Sequence, residues 1–186
     1  MALSLRSTVA LFVISVFSSA CLATRHDPTL KEDPDFVLGL EQLMIGNYYL
    51  ARSHFSQAVR ENPQNNRAHA GLILAETYRV PDHPDYHILV SRAARLGFDD
   101  FRILDLCGRQ TYDHSNGDFA LIKKAEALFI SALTTHPNNP SSHYYLGMIY
   151  IDLGDRLNAR KYFSATAKTE SDWQDRAIER LAEIEQ

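Results

Sequence analysis

Residues 143–167 read HYYLGMIYIDLGDRLNARKYFSATA. Apolar residues recur at three- and four-residue spacing through this stretch, the period of a helix with one buried face. Gly147 and Gly154 stand seven residues apart, and Ala159 precedes Phe163 by one helical turn. Upstream, residues 125–137, AEALFISALTTHP, repeat the alanine and phenylalanine and close on proline. Residues 51–63, ARSHFSQAVRENP, do the same, so both fit Ala-x3-Phe-x2-Ala-x4-Pro. Ala125 to Ala159 is 34 residues, and Ala51 to Ala125 is 74, two such periods and six residues more. A unit of this length, recurring, marks a stack of repeats.

The spacing has a steric cause. Glycine and alanine allow the two helices of a pair to cross closely, phenylalanine and tyrosine fill the gaps between neighbouring pairs, and proline stops the second helix because it cannot continue the ladder. The pattern resembles the tetratricopeptide repeat. Leu146, Gly147 and Tyr150 match that family's first helix, with His143 at its usual tryptophan place, and Ala159 and Phe163 match its second. Leu38, Gly39, Ala51, Phe55, Ala58 and Pro63 form another complete copy. Between them the frame is looser. Tyr86, Val90 and Ala93 serve as second-helix landmarks of unit two with one extra residue, although its first helix lacks a small residue where glycine is expected. Leu104, Cys107 and Gly108 open unit three, leaving five extra residues in TYDHSNGD, 111–118.

The resemblance implies an all-α, right-handed solenoid of about four helix pairs across residues 35–186, the second and third degenerate. A stack needs a polar-faced cap at its end. Residues 172–186, DWQDRAIERLAEIEQ, suit that role: Trp173, Ala177, Leu181 and Ile184 share a face, and Asp172 is the expected N-cap.

The first residues differ from the rest. In residues 1–20 Arg6 is the only charge, and TVALFVISVF, 8–17, is apolar but too short to span a bilayer. Small residues then lead to Cys21, the layout of an export signal. Ser18-Ser19-Ala20-Cys21 resembles a bacterial lipobox, which implies acylation of Cys21 and an outer-membrane lipoprotein facing the periplasm, Leu22 being no retention signal. Ser18 stands where a larger apolar residue is usual, so cleavage after Ala20 or Ala23 and a soluble periplasmic protein stay open. Residues 21–34, with two prolines and several charges, read as a linker, roughly 40 Å when extended.

Catalytic signatures are missing: no nucleophile elbow, phosphate loop, HExxH or CxxC, so neither an enzyme nor a cofactor is expected. His83 and His87 in DHPDYH raise a metal-binding alternative, but Pro84 breaks any shared helical face and no third ligand is visible. YDHSNGD departs from a calcium loop, with Gly117 fifth after Asp113 is counted as first and no glutamate at the twelfth. Cys107 falls at a core landmark and is expected to be buried. A formal net charge of −4 supplies no basic footprint for nucleic acid.

A surface remains. In the family, the inner groove is lined by first helices. Carried over, unit four offers Tyr144, Met148 and Ile151, unit three Arg102, Asp105 and Arg109, and unit one Phe36, Leu40 and Leu43. Aromatics, methionine and arginine suit a peptide or a partner helix, and the two arginines suit acidic groups or a C-terminal carboxylate. The resemblance therefore implies a protein-binding adaptor or scaffold in a bacterial envelope assembly, such as a pilus, secretion or cell-wall complex. Self-association through the apolar face of unit one is the alternative.

Overall fold

The computed structural model describes residues 32–185. The readings on the export signal 1–20, on Cys21 and on the linker up to Lys31 lie outside them. Among the described residues there are nine helices and no strand. They are α1 (Pro34–Met44), α2 (Tyr48–Glu61), α3 (Asn66–Arg79), α4 (Tyr86–Leu96), α5 (Phe101–Asp113), α6 (Phe119–Thr135), α7 (Pro140–Asp152), α8 (Arg156–Thr166) and α9 (Gln174–Ile184). Among the described residues no helix is long and apolar enough to cross a membrane.

The helix ends follow from polar side chains. Asp33, Asn47, Asn65, Asp100, Asp118, Asn139 and Asp155 each accept a backbone N–H from the first turn of the helix they open. Pro34 and Pro140 occupy first-turn positions, where the missing N–H costs nothing. Gly46 and Gly154, at φ 81° and 72°, turn the chain from α1 to α2 and from α7 to α8 through a conformation that side chains disfavour.

Within pairs, the repeated glycines meet the repeated phenylalanines. A Cβ on Gly39 would stand 2.6 Å from the Phe55 ring, one on Gly147 2.6 Å from Phe163, and one on Gly108 2.8 Å from Phe129. All three phenylalanines are fully buried. Helices then stack in chain order, each on the next, and the first helices also touch in sequence, α1 on α3, α3 on α5, α5 on α7.

Three details depart from the sequence reading. The five extra residues of unit three do not all lie between its helices. Two fall before the cap Asp118, and three lengthen the start of α6, so Ala125 sits seven residues past its cap where Ala159 sits four past Asp155. In unit two the small residue is Gly71, two positions before the expected place, and its Cβ would stand 2.5 Å from Phe55 of the preceding pair. Asp172 does not cap α9: Trp173 holds the cap position without a side-chain bond, and its ring is drawn into aromatic contacts instead. Cys107 is fully buried as expected, and burial pushes its thiol well above the ordinary range.

Candidate functional site

Residues 102, 105, 106 and 109 of α5 recur at helical spacing and therefore share one face. That face fronts a cavity of about 340 Å³. Leu40 and Met44 of α1 border it on one side, and Asn139, Pro140 and Ser141 at the start of α7 border it on another. Ser171, Asp172 and Trp173, just before α9, complete the wall. The cavity thus joins the first helix, the middle of the stack and the lead-in to the last.

Its charges are in different states. Asp105 is 6 % exposed and accepts from Ser142 Oγ at 2.6 Å, Ser141 Oγ at 2.9 Å and Asn139 Nδ2 at 3.3 Å. Burial raises its carboxyl above the usual carboxylate range, while these donors and the Arg109 charge pull the other way. Arg102 donates to Asp100, at 3.0 Å from Nε and 2.7 Å from Nη2, and also to Glu32. Its guanidinium lies 5.3 Å from the centre of the Phe36 ring. Arg109 lies 5.7 Å from the Tyr145 ring and 5.5 Å from the Trp173 ring. Among the described residues no carboxylate comes within 4.0 Å of it, and its buried Nε has no acceptor.

The groove residues named from sequence are divided by the fold. Arg102, Asp105, Arg109 and Leu40 reach the cavity together. Phe36 and Leu43 pack into the core, 1 % and 3 % exposed, because α1 begins the stack and turns its apolar face onto α2 and α3; Phe36 meets Phe55 at 6.0 Å. Tyr144 and Met148 pack against the cluster that α9 closes, with Tyr144 5.0 Å from Trp173. Ile151 stays exposed, away from the cavity. Trp173, the single tryptophan of the chain, is the residue that sequence reasoning placed in the cap face and not in the site. Tyr145 and Leu106 were likewise missed, lying one position from residues that were named.

His83 accepts from the Asp85 amide, and His87 is exposed with its ring edge-on to Tyr86. No cluster of three or more His, Cys, Asp or Glu side chains that could hold a metal occurs among the described residues.

A crystal structure of TTC0263, a thermophilic tetratricopeptide-repeat protein of Thermus thermophilus, superposes at a TM-score of 0.58 with 19 % identity over 81 % of this chain and 79 % of that one. The chain has the tetratricopeptide-repeat fold. The crystal structure of MamA is also similar, with a TM-score of 0.50 and 14 % identity over 79 % of this chain and 92 % of that one. No family model matches the sequence, and no curated protein does. At these identities the likeness concerns the fold. In tetratricopeptide terms the four pairs are α1–α2, α3–α4, α5–α6 and α7–α8, with α9 as the cap, and the cavity lies on the face formed by first helices.

Proposed function

We propose that the protein is an adaptor or scaffold that binds a protein partner through the inner face of its tetratricopeptide stack, and that it does no covalent chemistry itself. The observation that carries this reading is the cavity on α5, where an arginine without a paired carboxylate stands among aromatic and aliphatic walls. Arginine and tryptophan in a concave, partly desolvated setting are the residues that dominate protein recognition. Their positions are set by packing on both sides, so little ordering is lost on binding.

The sequence of the first 21 residues supports an envelope setting for this adaptor: export, acylation of Cys21 and display at the outer membrane on the periplasmic side. The assembly it serves is then a pilus, secretion or cell-wall complex. Affinity recovery from detergent-solubilised membranes, using the tagged full chain, tests the binding reading. The double variant Arg109→Glu, Met44→Ala, both residues lining the cavity and Met44 exposed, is expected to lose the partners that the wild type retains, with the helical circular-dichroism signal unchanged. Equal recovery by both proteins refutes this surface. Cys21→Ser is expected to move the protein from the membrane to the soluble fraction, and retention in the membrane refutes the anchor.

A further inference from the structure

The four turns inside the helix pairs all lie at one edge of the stack, because consecutive helices joined by short turns run antiparallel. These turns touch in order. The Tyr48 ring stacks on Tyr78 at 5.6 Å, the Tyr86 ring lies 4.1 Å from the His114 ring, and Tyr112 Oη donates to Asp152 at 2.7 Å. The edge is therefore a continuous ledge across all four units. From the last residue of each first helix to the third of each second helix, it comprises residues 44–50, 79–88, 113–121 and 152–158.

Two properties coincide on it. Every unit places large apolar surface in water there: Ile45 and Tyr49, then Ile88, Phe119 and Leu157, each between 64 % and 81 % exposed. The ledge also holds six aspartates, Asp82, Asp85, Asp113, Asp118, Asp152 and Asp155, against two arginines, of which Arg79 is bound to Glu76. Six against two gives a formal charge of −4, as much as the whole chain carries. Among the described residues none of the six comes within 4.0 Å of an arginine, lysine or histidine nitrogen. At the opposite edge the acids are paired: Asp35 meets His54 at 2.8 Å, Asp99 meets Arg67 at 2.8 Å and Asp100 meets Arg102 at 2.7 Å.

The occupant follows from charge and spacing. A second copy would bring a ledge of the same sign against this one, and a lipid surface would draw the aspartates out of water together with the apolar side chains beside them. A basic partner pairs them instead. Neighbouring packed helices lie about 8–10 Å apart, so the apolar side chains recur roughly every 10 Å along the ledge. Seven residues of an α-helix advance about 10.5 Å and return to the same face. The roughly three residues of strand that cover this distance end on the opposite face. We infer that the ledge is a second docking surface, separate from the inner cavity, and takes a basic amphipathic helix of a partner protein. Apolar side chains at heptad spacing pack on Ile45, Tyr49, Ile88, Phe119 and Leu157, and flanking lysines or arginines face the aspartates.

The probe is a fluorescently labelled peptide of three heptads, leucine at the a and d positions and lysine or arginine elsewhere, titrated with the full chain while its anisotropy is followed. It is expected to bind about 10-fold more tightly than a scrambled peptide of the same composition, which keeps the charge and loses the apolar face. The triple variant Asp82→Asn, Asp85→Asn, Asp113→Asn, which removes no helix-cap bond, is expected to weaken it about 10-fold, the size that three exposed charge pairs reach together. Glu61→Gln, Glu170→Gln, Glu179→Gln, which removes the same charge from exposed positions off the ledge, is expected to leave the affinity within about 2-fold. Phe119→Ser with Leu157→Ser, both at exposed positions, is expected to cost about 10-fold with helicity unchanged. Equal affinity for the scrambled peptide, equal losses in the two charge variants, no loss in the serine variant, or no binding at all each overturns the inference. A dimer in light scattering that the serine variant abolishes would make the occupant a second copy, and flotation with phosphatidylcholine vesicles that the same variant abolishes would make it a lipid surface; either overturns the inference too. The inner cavity is untouched by these variants, so failure here leaves the adaptor reading standing.

Discussion

The second and fourth helix pairs are the same unit of the stack held together by different means. In the fourth, Phe163 lies over Gly147, Gly154 makes the turn at positive φ, and Asp155 caps α8. In the second, Val90 stands in place of the phenylalanine and Ile73 in place of the glycine. Pro81 and Pro84 occupy the turn, and Asp85 makes no side-chain cap bond. Proline cannot donate to the helical ladder and pushes the residue before it away from helix. As a result α4 begins late: Val90 is five residues past its cap, where Phe163 is eight past Asp155.

What holds the second pair lies largely on its neighbours. Gly71 receives Phe55 from the first pair. On the other side, Gly97 approaches Ile103 so closely that a Cβ there would stand 2.4 Å from it. Polar bonds reach across as well: Thr77 donates to Gln110 at 2.8 Å, and the Tyr86 hydroxyl and His114 Nδ1 share a hydrogen bond of 2.9 Å. A stack tolerates a unit that packs poorly within itself when both faces of that unit are used by others.

The largest expected effect comes from the buried ring. Phe163→Ala is expected to lower stability by about 3–5 kcal/mol, against about 1–2 kcal/mol for Val90→Ala, both read from urea unfolding. Equal losses would mean that the second pair is packed as firmly as the fourth. The caps come next. Asp118→Ala, at a cap that bonds the Ala120 amide, should cost about 1 kcal/mol, whereas Asp85→Ala should change the midpoint little. A comparable loss at Asp85 would break the contrast.

The smallest effect concerns pH. Asp105 ties α5 to the start of α7, and burial raises its carboxyl in the folded state. A raised carboxyl means that the folded protein holds this proton more tightly than the unfolded chain. The contribution from this group therefore falls as pH rises from the ordinary aspartate range through the raised folded value, and levels off above it. Asp105→Asn is expected to flatten the part of the melting-temperature profile that begins at the ordinary aspartate range and runs upward from it. An unchanged slope would show that Asp105 ionises in the fold as readily as in the unfolded chain, and that its three donors offset its burial.

The two ends of the stack were the most legible in the sequence. Gly39 with Phe55, and Gly147 with Phe163, lie at the same separation because each pair closes on itself through residues 16 apart. The middle was harder to frame, since Pro81, Pro84 and the longer α6 shift the register without altering the stacking order. In the site, the α5 side chains were legible because they follow helical spacing on one element. Trp173 was not, because it stands before α9, outside the helix whose spacing placed it in the cap face, and the cavity brings it to α5 only through the fold.

Local periodicity by itself determined the helix pairs, the small residues where they cross and the need for a cap, because those features join residues one turn or one short loop apart; that phenylalanine lies over the glycine of its own pair was decided by the fold. Only the tertiary structure decided which charges are spent and which remains. Arg102 and Arg109 are equivalent on the helix, yet one faces Asp100 and Glu32 and the other faces Tyr145 and Trp173. That difference arises from the way α1 and the lead-in to α9 come together across α5, a curvature accumulated over the whole stack and written in no single repeat.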